Sequence, residues 1–194
     1  MKSIKPTSKW FLKADATQGY HQVMLDEESQ KLTAFILPFG CYYFKRTPMG
    51  LSPSGDEFCS RTDIAINEVT DSAKIVDDIL LQAPTQAKLF DRLEELLKAC
   101  RNHNITLSLK KLQIGQEIKF AGYIVSQHGI KPDPDKLAAI REFPAPHDVT
   151  SLKSFLGLAN QLASFIPDMS HITNQLRMLL KKDMEFIWLP EHQK

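Results

Sequence analysis

Cysteine is scarce in this sequence, and its distribution excludes two classes of protein. The chain contains three cysteines, an odd number with no closely spaced pair: Cys41, Cys59 and Cys100. This pattern argues against a disulfide framework and against a structural zinc site, and it favours reduced thiols in a cytosolic or nuclear setting. The six histidines show no metal-ligand spacing either.

Long apolar runs and an excess of one charge are also missing. No apolar stretch approaches the length that crosses a membrane, and the N-terminal "MKSIKPTSKW" lacks the apolar core of a signal peptide. We therefore expect no membrane partner and no secretion. The formal net charge is only +1, so a surface for nucleic acid would have to come from local clusters of basic residues.

Up to about residue 130 the sequence mixes strand and helix patterns. Short apolar or alternating runs predict strands over residues 10–16, 19–26, 31–37, 41–47, 73–83 (two half-strands), 105–111 and 118–130. A helix is predicted over residues 51–69, with Ser52 as its N-cap and Pro53 in its first turn. Thr85 is predicted to cap a second helix, whose apolar stripe consists of Leu89, Phe90, Leu93, Leu96, Leu97 and Cys100.

After residue 130 the pattern becomes helical as far as Lys182. Asp133 and Pro134 are predicted as the N-cap and first residue of a helix. Two apolar stripes follow: Leu152, Phe155, Leu156, Ala159, Leu162 and Ile166, then Ile172, Leu176, Leu179 and Leu180. We therefore predict an α+β domain over 1–130, a small helical bundle over 131–182, and over 183–194 the first strand of a further domain.

Two adjacent carboxylates, Asp77 and Asp78, interrupt the apolar run 73–83. Taken alone, such a pair is typical of a solvated turn. The order of the elements, however, permits two helices on one face of an antiparallel sheet, as in ferredoxin-like folds, which can bring Asp15 next to the pair. Carboxylates without His or Cys favour Mg²⁺ or Mn²⁺, and two such ions can support nucleotidyl transfer.

The chain closely resembles the reverse transcriptase of gypsy-type LTR retrotransposons, which are relatives of the retroviral enzymes. Six segments carry the resemblance in order: "FLKADATQGYHQVMLDEESQKLTAF", "LPFGCYYFKRTPMGLS", "KIVDDILL", "ITLSLKK", "IKFAGYIVSQHGIKPDPDKLAAI" and "LKSFLGLANQLASFIPDMSHIT". The resemblance implies a ferredoxin-like reverse-transcriptase palm (1–130), a small helical thumb bundle (131–182) and the start of a connection domain (183–194).

The resemblance also implies catalytic and metal-binding roles for three aspartates. Asp15 matches the first catalytic aspartate, and Asp77 and Asp78 match the double-aspartate hairpin. Asp77 is then the metal ligand proper, and Asp78 completes the charge of the site. We expect two Mg²⁺ or Mn²⁺ ions with bound nucleotide. Ile75 and Val76 stand before the pair, where the family commonly has an aromatic residue.

Further site residues follow from the same matches. Tyr20 falls at the steric gate against the ribose 2′-hydroxyl, its alternative being an ordinary half-buried strand tyrosine. Lys110, or its neighbour Lys111, resembles the general acid for the leaving pyrophosphate, its alternative being a solvated lysine. Met49 and Gly50 match the nucleotide pocket, although "PSGDEF" departs from the commoner Ala-Pro-rich version. The expected primer-grip residues are Phe120, Gly122 and Tyr123.

The expected partners are an RNA or DNA template with its primer, and deoxynucleoside triphosphates. Candidate nucleic-acid contacts are Lys110, Lys111, Lys119, Lys153, Arg177, Lys181 and Lys182, the alternative being solvated helix faces. The resemblance places the protein in the cytoplasm, in a virus-like particle there, or in the nucleus.

Only residues 1–14 precede Asp15, where the family has most of its fingers subdomain. We therefore expect the chain by itself to be weakly active or inactive. We also expect it to self-associate, or to bind a protein, through apolar surface that faces the fingers. A binding module without catalysis and a nucleotide cyclase remain alternatives, although a cyclase needs no clamp for a duplex.

Overall fold

The computed structural model describes residues 4–181, 184, 186–189 and 192. The chain divides into two compact units. The first unit contains the residues up to Ala121 together with Val125–Ile130, and the second contains Gly122–Ile124 and the residues from Lys131 onward. The division lies near residue 130, where the sequence pattern changes from mixed to helical.

The strands and helices alternate along the first unit and give way to helices in the second. The strands are β1 (Trp10–Asp15), β2 (Phe35–Leu37), β3 (Gly40–Tyr42), β4 (Ser72–Ile75), β5 (Asp78–Ala83), β6 (Gln113–Gly115), β7 (Glu117–Phe120), β8 (Tyr123–Ser126) and β9 (Gly129–Pro132). The α-helices are α1 (Glu27–Leu32), α2 (Ser54–Asn67), α3 (Gln86–Asn102), α4 (Pro134–Arg141), α5 (Val149–Asn160), α6 (Met169–Ile172) and α7 (Asn174–Met178). The 3₁₀ helices are Gly19–Gln22, Leu109–Lys111 and Ala163–Phe165.

The first unit is built on a four-stranded sheet in the order β4-β5-β1-β6, and each neighbouring pair is antiparallel. Helix α2 connects β1 to β4 through the β2–β3 hairpin, and α3 connects β5 to β6. This order is that of a ferredoxin-like fold. The α+β prediction is therefore confirmed. Strands β7, β8 and β9 form a separate sheet in that order.

Alternation along the strands of the first unit places apolar side chains on both faces of its sheet. Leu12 and Leu81 belong to the core cluster that contains residues of α2 and α3, whereas Phe11 and Leu80 pack with Ile118 from β7. Successive strand residues point to opposite faces of the sheet, so the same strands contribute apolar side chains to two separate cores. Both helices therefore lie on one face, as predicted. In the predicted stripe of α3, Phe90 and Leu97 are exposed instead.

The predicted helix caps agree with the structure in two of three cases. The Thr85 hydroxyl accepts a hydrogen bond from the Lys88 amide at the start of α3. Asp133 caps α4, and Pro134 is the first residue of that helix. Helix α2 instead begins at Ser54 after Pro53, without a side-chain cap, so the prediction of Ser52 as N-cap is wrong.

Three predicted strands are replaced partly or wholly by helical turns. Residues 19–22 form a 3₁₀ helix. In the predicted strand 31–37, residues 31 and 32 belong to α1, and strand β2 begins only at Phe35. Residues 109–111 form another 3₁₀ helix. In the first case Gln18 has φ 48° and turns the chain out of the direction of β1, which alternation in the sequence does not reveal.

The second unit contains α4–α7 and its own apolar cluster. Leu152, Leu156 and Leu179 are buried there, with Phe155 and Leu176 packed against them. Ile172, which we placed in the second apolar stripe, is 61% exposed. Helix α7 ends at Met178, and Lys182 and most of the segment 183–194 lie outside the described residues. No strand forms at the described positions 186–189.

All three cysteines are described, and all three are free thiols. Burial raises the pKa of the Cys100 thiol to about 11, so this thiol is protonated at neutral pH. Among the described residues, no helix is long and apolar enough to cross a membrane.

Candidate active site

The ends of β1 and β5 bring two of the expected carboxylates together. In the antiparallel register of these strands, Asp15 lies directly opposite Asp78. Directly opposite residues share one face of a sheet, and two like charges in that position destabilise it. Asp15 is buried, at 7% exposure, so its charge requires a partner nearby.

Two lysines supply the compensating charges. Lys111 Nζ donates to Asp15 Oδ1 at 2.8 Å, and Lys13 Nζ lies 2.9 Å from Asp78 Oδ2. Lys13 precedes Asp15 by two positions on β1 and therefore lies on the same face of the sheet. Lys111 is brought to Asp15 by the 3₁₀ helix Leu109–Lys111, whose preceding residue Ser108 donates its amide to the Asp15 carbonyl.

The third carboxylate, Asp77, occupies the two-residue turn between β4 and β5. Its carbonyl accepts the Ala16 amide at 3.3 Å, which ties the turn to the end of β1. The neighbouring Val76 has φ 56°, a conformation that a β-branched residue rarely adopts and that indicates local strain. The Asp77 residue lines a cleft of about 270 Å³ together with Tyr20, Met49 and Lys111.

The charges of all three carboxylates act on one ammonium group. The hydrogen bond and the charge of Asp15 raise the pKa of Lys111, and the charges of Asp77 and Asp78 raise it further. Negative potential therefore converges where Lys111 Nζ lies. A donor set of three carboxylates without His or Cys suits a hard divalent cation such as Mg²⁺ or Mn²⁺.

The three carboxylates are not arranged as a metal-binding group in this structure. Within the described part of the chain, no three Asp, Glu, His or Cys side chains are grouped closely enough to hold a metal ion. Asp15 and Asp78 are instead paired with Lys111 and Lys13, respectively. Of the two lysines expected as general acid, Lys111 is the one that pairs with Asp15, and both lysines are exposed.

Tyr20 is held in the cleft by a small aromatic cluster. Its ring lies edge-on to Phe58 of α2, with 6.1 Å between ring centroids. Gly19 makes this contact possible, because a Cβ at that position would lie 2.7 Å from the Phe58 ring. Tyr20 lies on a 3₁₀ helix rather than on the predicted strand, and it is half-buried against Phe58.

Met49 and Gly50 lie in the loop before α2. Met49 lines the same cleft as Asp77 and is 71% exposed. Gly50 has φ 93°, where any other residue would be strained. A side chain at residue 50 is thus excluded by backbone conformation rather than by crowding, since nothing lies within 4 Å of the position that its Cβ would take.

The expected primer-grip residues do not lie in one environment. Phe120 has 0% exposure and packs in the core with Phe11 and Leu80, so its side chain offers no surface to a primer. This correction follows from the alternation of β7, in which Ile118 and Phe120 face the core. Gly122 has φ 78° in the β7–β8 turn. In the second unit, Tyr123 packs against Phe165, and its ring lies below the ammonium of Lys136.

Comparison with known proteins identifies the family. The sequence profile described as "Reverse transcriptase (RNA-dependent DNA polymerase)" matches residues 1–125. The chain belongs to the reverse transcriptase family. Among curated proteins, it is 33% identical over 179 residues to the Retrovirus-related Pol polyprotein from transposon gypsy and 30% identical over 190 residues to that from transposon 412, both of Drosophila melanogaster. These matches cover 90% and 96% of the chain but only 17% and 15% of the polyproteins.

Solved reverse transcriptases have the same fold. The foamy viral protease-reverse transcriptase in complex with an RNA/DNA hybrid matches 95% of this chain and 26% of its own, with a TM-score of 0.86 and 25% identity. A variant of that protein in complex with double-stranded DNA gives a TM-score of 0.88, also at 25% identity, over 95% of this chain and 33% of its own. The resemblance seen in the sequence is thereby confirmed, including its gypsy-type character.

Reasoning from the sequence missed two residues that support this reverse transcriptase site. Lys13, the counter-ion of Asp78, could have been found, because a lysine two positions before Asp15 in an otherwise apolar strand must share its face. Phe58 could not, since nothing in the local pattern of α2 indicates a contact with Gly19 and Tyr20.

Proposed function

We propose that this chain is the palm and thumb core of an RNA-directed DNA polymerase, which adds deoxynucleotides to a primer by two-metal nucleotidyl transfer. The first unit corresponds to the palm and the second to the thumb. The observation that carries the proposal is the strand register that places Asp15 opposite Asp78, with Asp77 in the adjoining turn and Lys111 paired with Asp15. The family supplies the reaction class.

Asp15 and Asp77 are the residues that would hold the divalent ions, while Lys13 neutralises Asp78. When bound, two such ions activate the attacking primer hydroxyl and stabilise the leaving pyrophosphate. For Asp15 to serve as a ligand, Lys111 must leave it. Lys111, which is 64% exposed at its side chain, is free to turn into the cleft. From there it can donate a proton to the leaving pyrophosphate, the role we assigned to Lys110.

The nucleotide would occupy the cleft between Tyr20, Met49 and Asp77. The Tyr20 ring, fixed against Phe58, would clash with a ribose 2′-hydroxyl and so favour deoxynucleotides. Gly50 allows the loop before α2 to follow the cleft wall. Primer contact falls to Gly122 and Tyr123, and not to the side chain of Phe120.

A primer–template duplex is the proposed macromolecular partner. The solved relatives are complexes with an RNA/DNA hybrid and with double-stranded DNA. Basic residues on exposed positions support the same partner here: Lys110, Lys111, Lys119, Lys153, Arg177 and Lys181. Phosphate contacts of this kind supply most of the sequence-independent affinity.

Primer extension tests the proposal. We expect the chain by itself to extend a DNA primer on an RNA template only weakly, with Mg²⁺ or Mn²⁺ present. We expect Asp77→Asn to reduce the rate by at least about a hundredfold, because metal-held charge dominates phosphoryl transfer. Asp91→Asn, an exposed carboxylate on α3, is the matched control. Equal rates for wild type and Asp77→Asn, or equal Mn²⁺ affinity of the two in a direct titration, would contradict the proposal.

A module that binds nucleic acid without catalysis is the second candidate. The ion pairs of Asp15 and Asp78 with lysines favour it, because they occupy both carboxylates. The two functions differ in one respect that is easily measured. A binding module would retain primer–template affinity while neither wild type nor Asp77→Asn extends the primer or binds Mn²⁺.

The β2–β3 hairpin supports the proposal of self-association or of a protein partner. Its apolar side chains face solvent, with Ile36 84% and Phe39 76% exposed. A contiguous apolar patch of this kind marks interaction surfaces. We expect Ile36→Thr combined with Phe39→Ser to lower the weight-average mass in sedimentation equilibrium. A wild-type chain that is monomeric at high concentration would oppose this expectation.

A further inference from the structure

A second, larger cleft lies in the first unit on the other side of the segment that carries Tyr20. Its volume is about 960 Å³, and it is walled by the 3₁₀ helix Gly19–Gln22, by α2, by the end of α3 and by the segment that follows α3. Gln18 lines both this cleft and the cleft between Tyr20, Met49 and Asp77, which we call the nucleotide cleft. We call the larger cleft the basic cleft, for the charges described next.

The charges along the basic cleft have one sign. Arg46, Arg61, Arg101 and His21 line it, and no Asp or Glu occurs among the described residues of its wall. Arg61 pairs with Glu57 one turn earlier on α2, but both side chains are half exposed, and such a pair is weak. The chain as a whole is almost neutral, with 24 Lys and Arg against 23 Asp and Glu. Three guanidinium groups in one wall are therefore a local concentration of positive charge, which raises the local concentration of anions.

Hydrogen bonds hold the floor of the basic cleft in place. The Gln22 side chain donates to the Thr17 and Thr106 carbonyls at 2.6 and 2.9 Å and accepts from the Thr106 amide at 2.9 Å. Arg46 donates through Nη1 to the His21 carbonyl at 3.1 Å. A guanidinium has five N–H donors, so Arg46 can be fixed by some of them and still present others to a ligand.

Part of the wall is apolar. Met24 and Leu97, which are 66% and 52% exposed, line the cleft together with Leu107. Leu97 belongs to the predicted apolar stripe of α3, yet its side chain faces this cleft instead of the core. A ligand that fits this wall combines an anionic group with a flat or apolar one.

We propose that the basic cleft binds the phosphate groups of a nucleotide, either free or within a nucleic-acid strand, with its base or sugar against the apolar wall. Arginine forks match phosphate oxygens in a bidentate manner. Since the wall holds no carboxylates, this site needs no divalent ion, which distinguishes it from the polymerase site. The proposal goes beyond the polymerase reaction and does not depend on it.

Binding in a buffer that contains EDTA tests the proposal. The probes are fluorescent adenosine triphosphate and a labelled single-stranded oligothymidylate, each titrated with the 194-residue chain. The variant Arg61→Gln with Arg101→Gln removes two exposed charges from the cleft. The control, Lys88→Gln with Lys98→Gln, removes two exposed charges from α3 outside it. Thermal unfolding of both variants checks that the fold is kept.

We expect at least one probe to bind wild type, the cleft variant to bind it about tenfold more weakly, and the control to match wild type. Arg61→Lys with Arg101→Lys should recover part of the affinity. If the cleft variant loses affinity only for the oligonucleotide, the ligand is a nucleic-acid strand. If it loses affinity only for adenosine triphosphate, the ligand is a free nucleotide. Absence of binding by wild type, or equal loss in the cleft variant and the control, overturns the proposal.

The Asp77→Asn substitution removes a proposed metal-binding carboxylate from the nucleotide cleft, and residue 77 does not line the basic cleft. This variant therefore separates the two sites. We expect this variant to keep wild-type affinity for the probe in EDTA. If Asp77→Asn changes the affinity for the probe in either direction, the ligand occupies the nucleotide cleft and the proposed second site is wrong, whatever the outcome of primer extension.

Discussion

Lys13 and Asp78 form an ion pair in which both side chains are largely shielded from water, at 20% and 19% exposure. Replacing both residues of such a pair together changes the free energy of unfolding little, whereas removing only one of them leaves a shielded charge without compensation. The arrangement also explains why two aspartates can stand opposite each other on β1 and β5. Each has its own lysine.

Removal of Lys13 should therefore destabilise the protein. We expect Lys13→Met to lower the free energy of unfolding by about 1–3 kcal/mol, as measured by urea denaturation. The double variant with Asp78→Asn should regain part of that loss. Lys98→Met, which breaks an exposed pair with Glu94, should change stability by less than about 0.5 kcal/mol. An unchanged stability of Lys13→Met would mean that water already compensates Asp78.

Tyr20, which we propose as the steric gate, gives a prediction about specificity. In the active protein, Tyr20→Ala should reduce discrimination against ribonucleotides by roughly 10- to 200-fold, since a steric contact with one hydroxyl is removed. Tyr20→Phe keeps the ring against Phe58 and should keep the discrimination. The measurement is the ratio of kcat/KM for a deoxynucleotide and its ribonucleotide. If Tyr20→Ala leaves this ratio unchanged, the ring is only a packing group.

At the scale of elements, the 3₁₀ helix Gly19–Gln22 depends on α2 for its position. Phe58 is 1% exposed and fills the space where a residue-19 side chain would begin. The same helix carries Tyr20 toward the nucleotide cleft and His21 toward the basic cleft. The packing of this 3₁₀ helix against α2 therefore positions Tyr20 at one cleft and His21 at the other.

Two glycine-to-alanine substitutions should have opposite effects. Gly19→Ala forces a Cβ to within 2.7 Å of the buried Phe58 ring and should lower the free energy of unfolding by about 1–3 kcal/mol. Gly157→Ala lies in α5 with nothing within 4 Å of the new Cβ and should raise it by up to about 1 kcal/mol. Thermal or urea unfolding measures both. Stabilisation by Gly19→Ala would show that the 3₁₀ helix can move away from α2.

At the scale of the whole molecule, the near-neutral charge means that the proposed nucleic-acid binding would depend on a few basic residues. Lys153 on α5 is exposed, and Arg177 on α7 is held by a hydrogen bond to Thr173. Both lie in the second unit, where the thumb is proposed.

The affinity for a primer–template should therefore fall steeply as salt is raised. Lys153→Ala should lower the slope of log K against log salt by about 1, as measured by fluorescence anisotropy over a range of salt concentrations. Lys88→Ala, on α3 of the first unit, is the matched control. An affinity independent of ionic strength, or equal slopes for Lys153→Ala and wild type, would exclude phosphate contact by Lys153.

Much of the fold followed from local patterns in the sequence. The caps at Thr85 and Asp133, the two helices on one face of the sheet and the proximity of Asp15 to the double aspartate follow from the sequence, because each depends on residues close in sequence or on a sheet order with few alternatives. The family was also recognisable from ordered sequence blocks. The helix caps and the helical stripes are determined by the chain's own periodicity and turn residues.

What only the tertiary structure decided is the direction in which individual side chains point. The turn at Gln18 and the Phe58 ring convert a predicted strand into the 3₁₀ helix that carries Tyr20. A similar turn at residues 109–111 brings Lys111 rather than Lys110 to Asp15.

The burial of Phe120 and the basic cleft are likewise decided by elements far apart in the sequence. The reason is physical: secondary-structure patterns arise from neighbours a few residues away, whereas side-chain burial and charge pairing depend on contacts that form only when distant segments pack together.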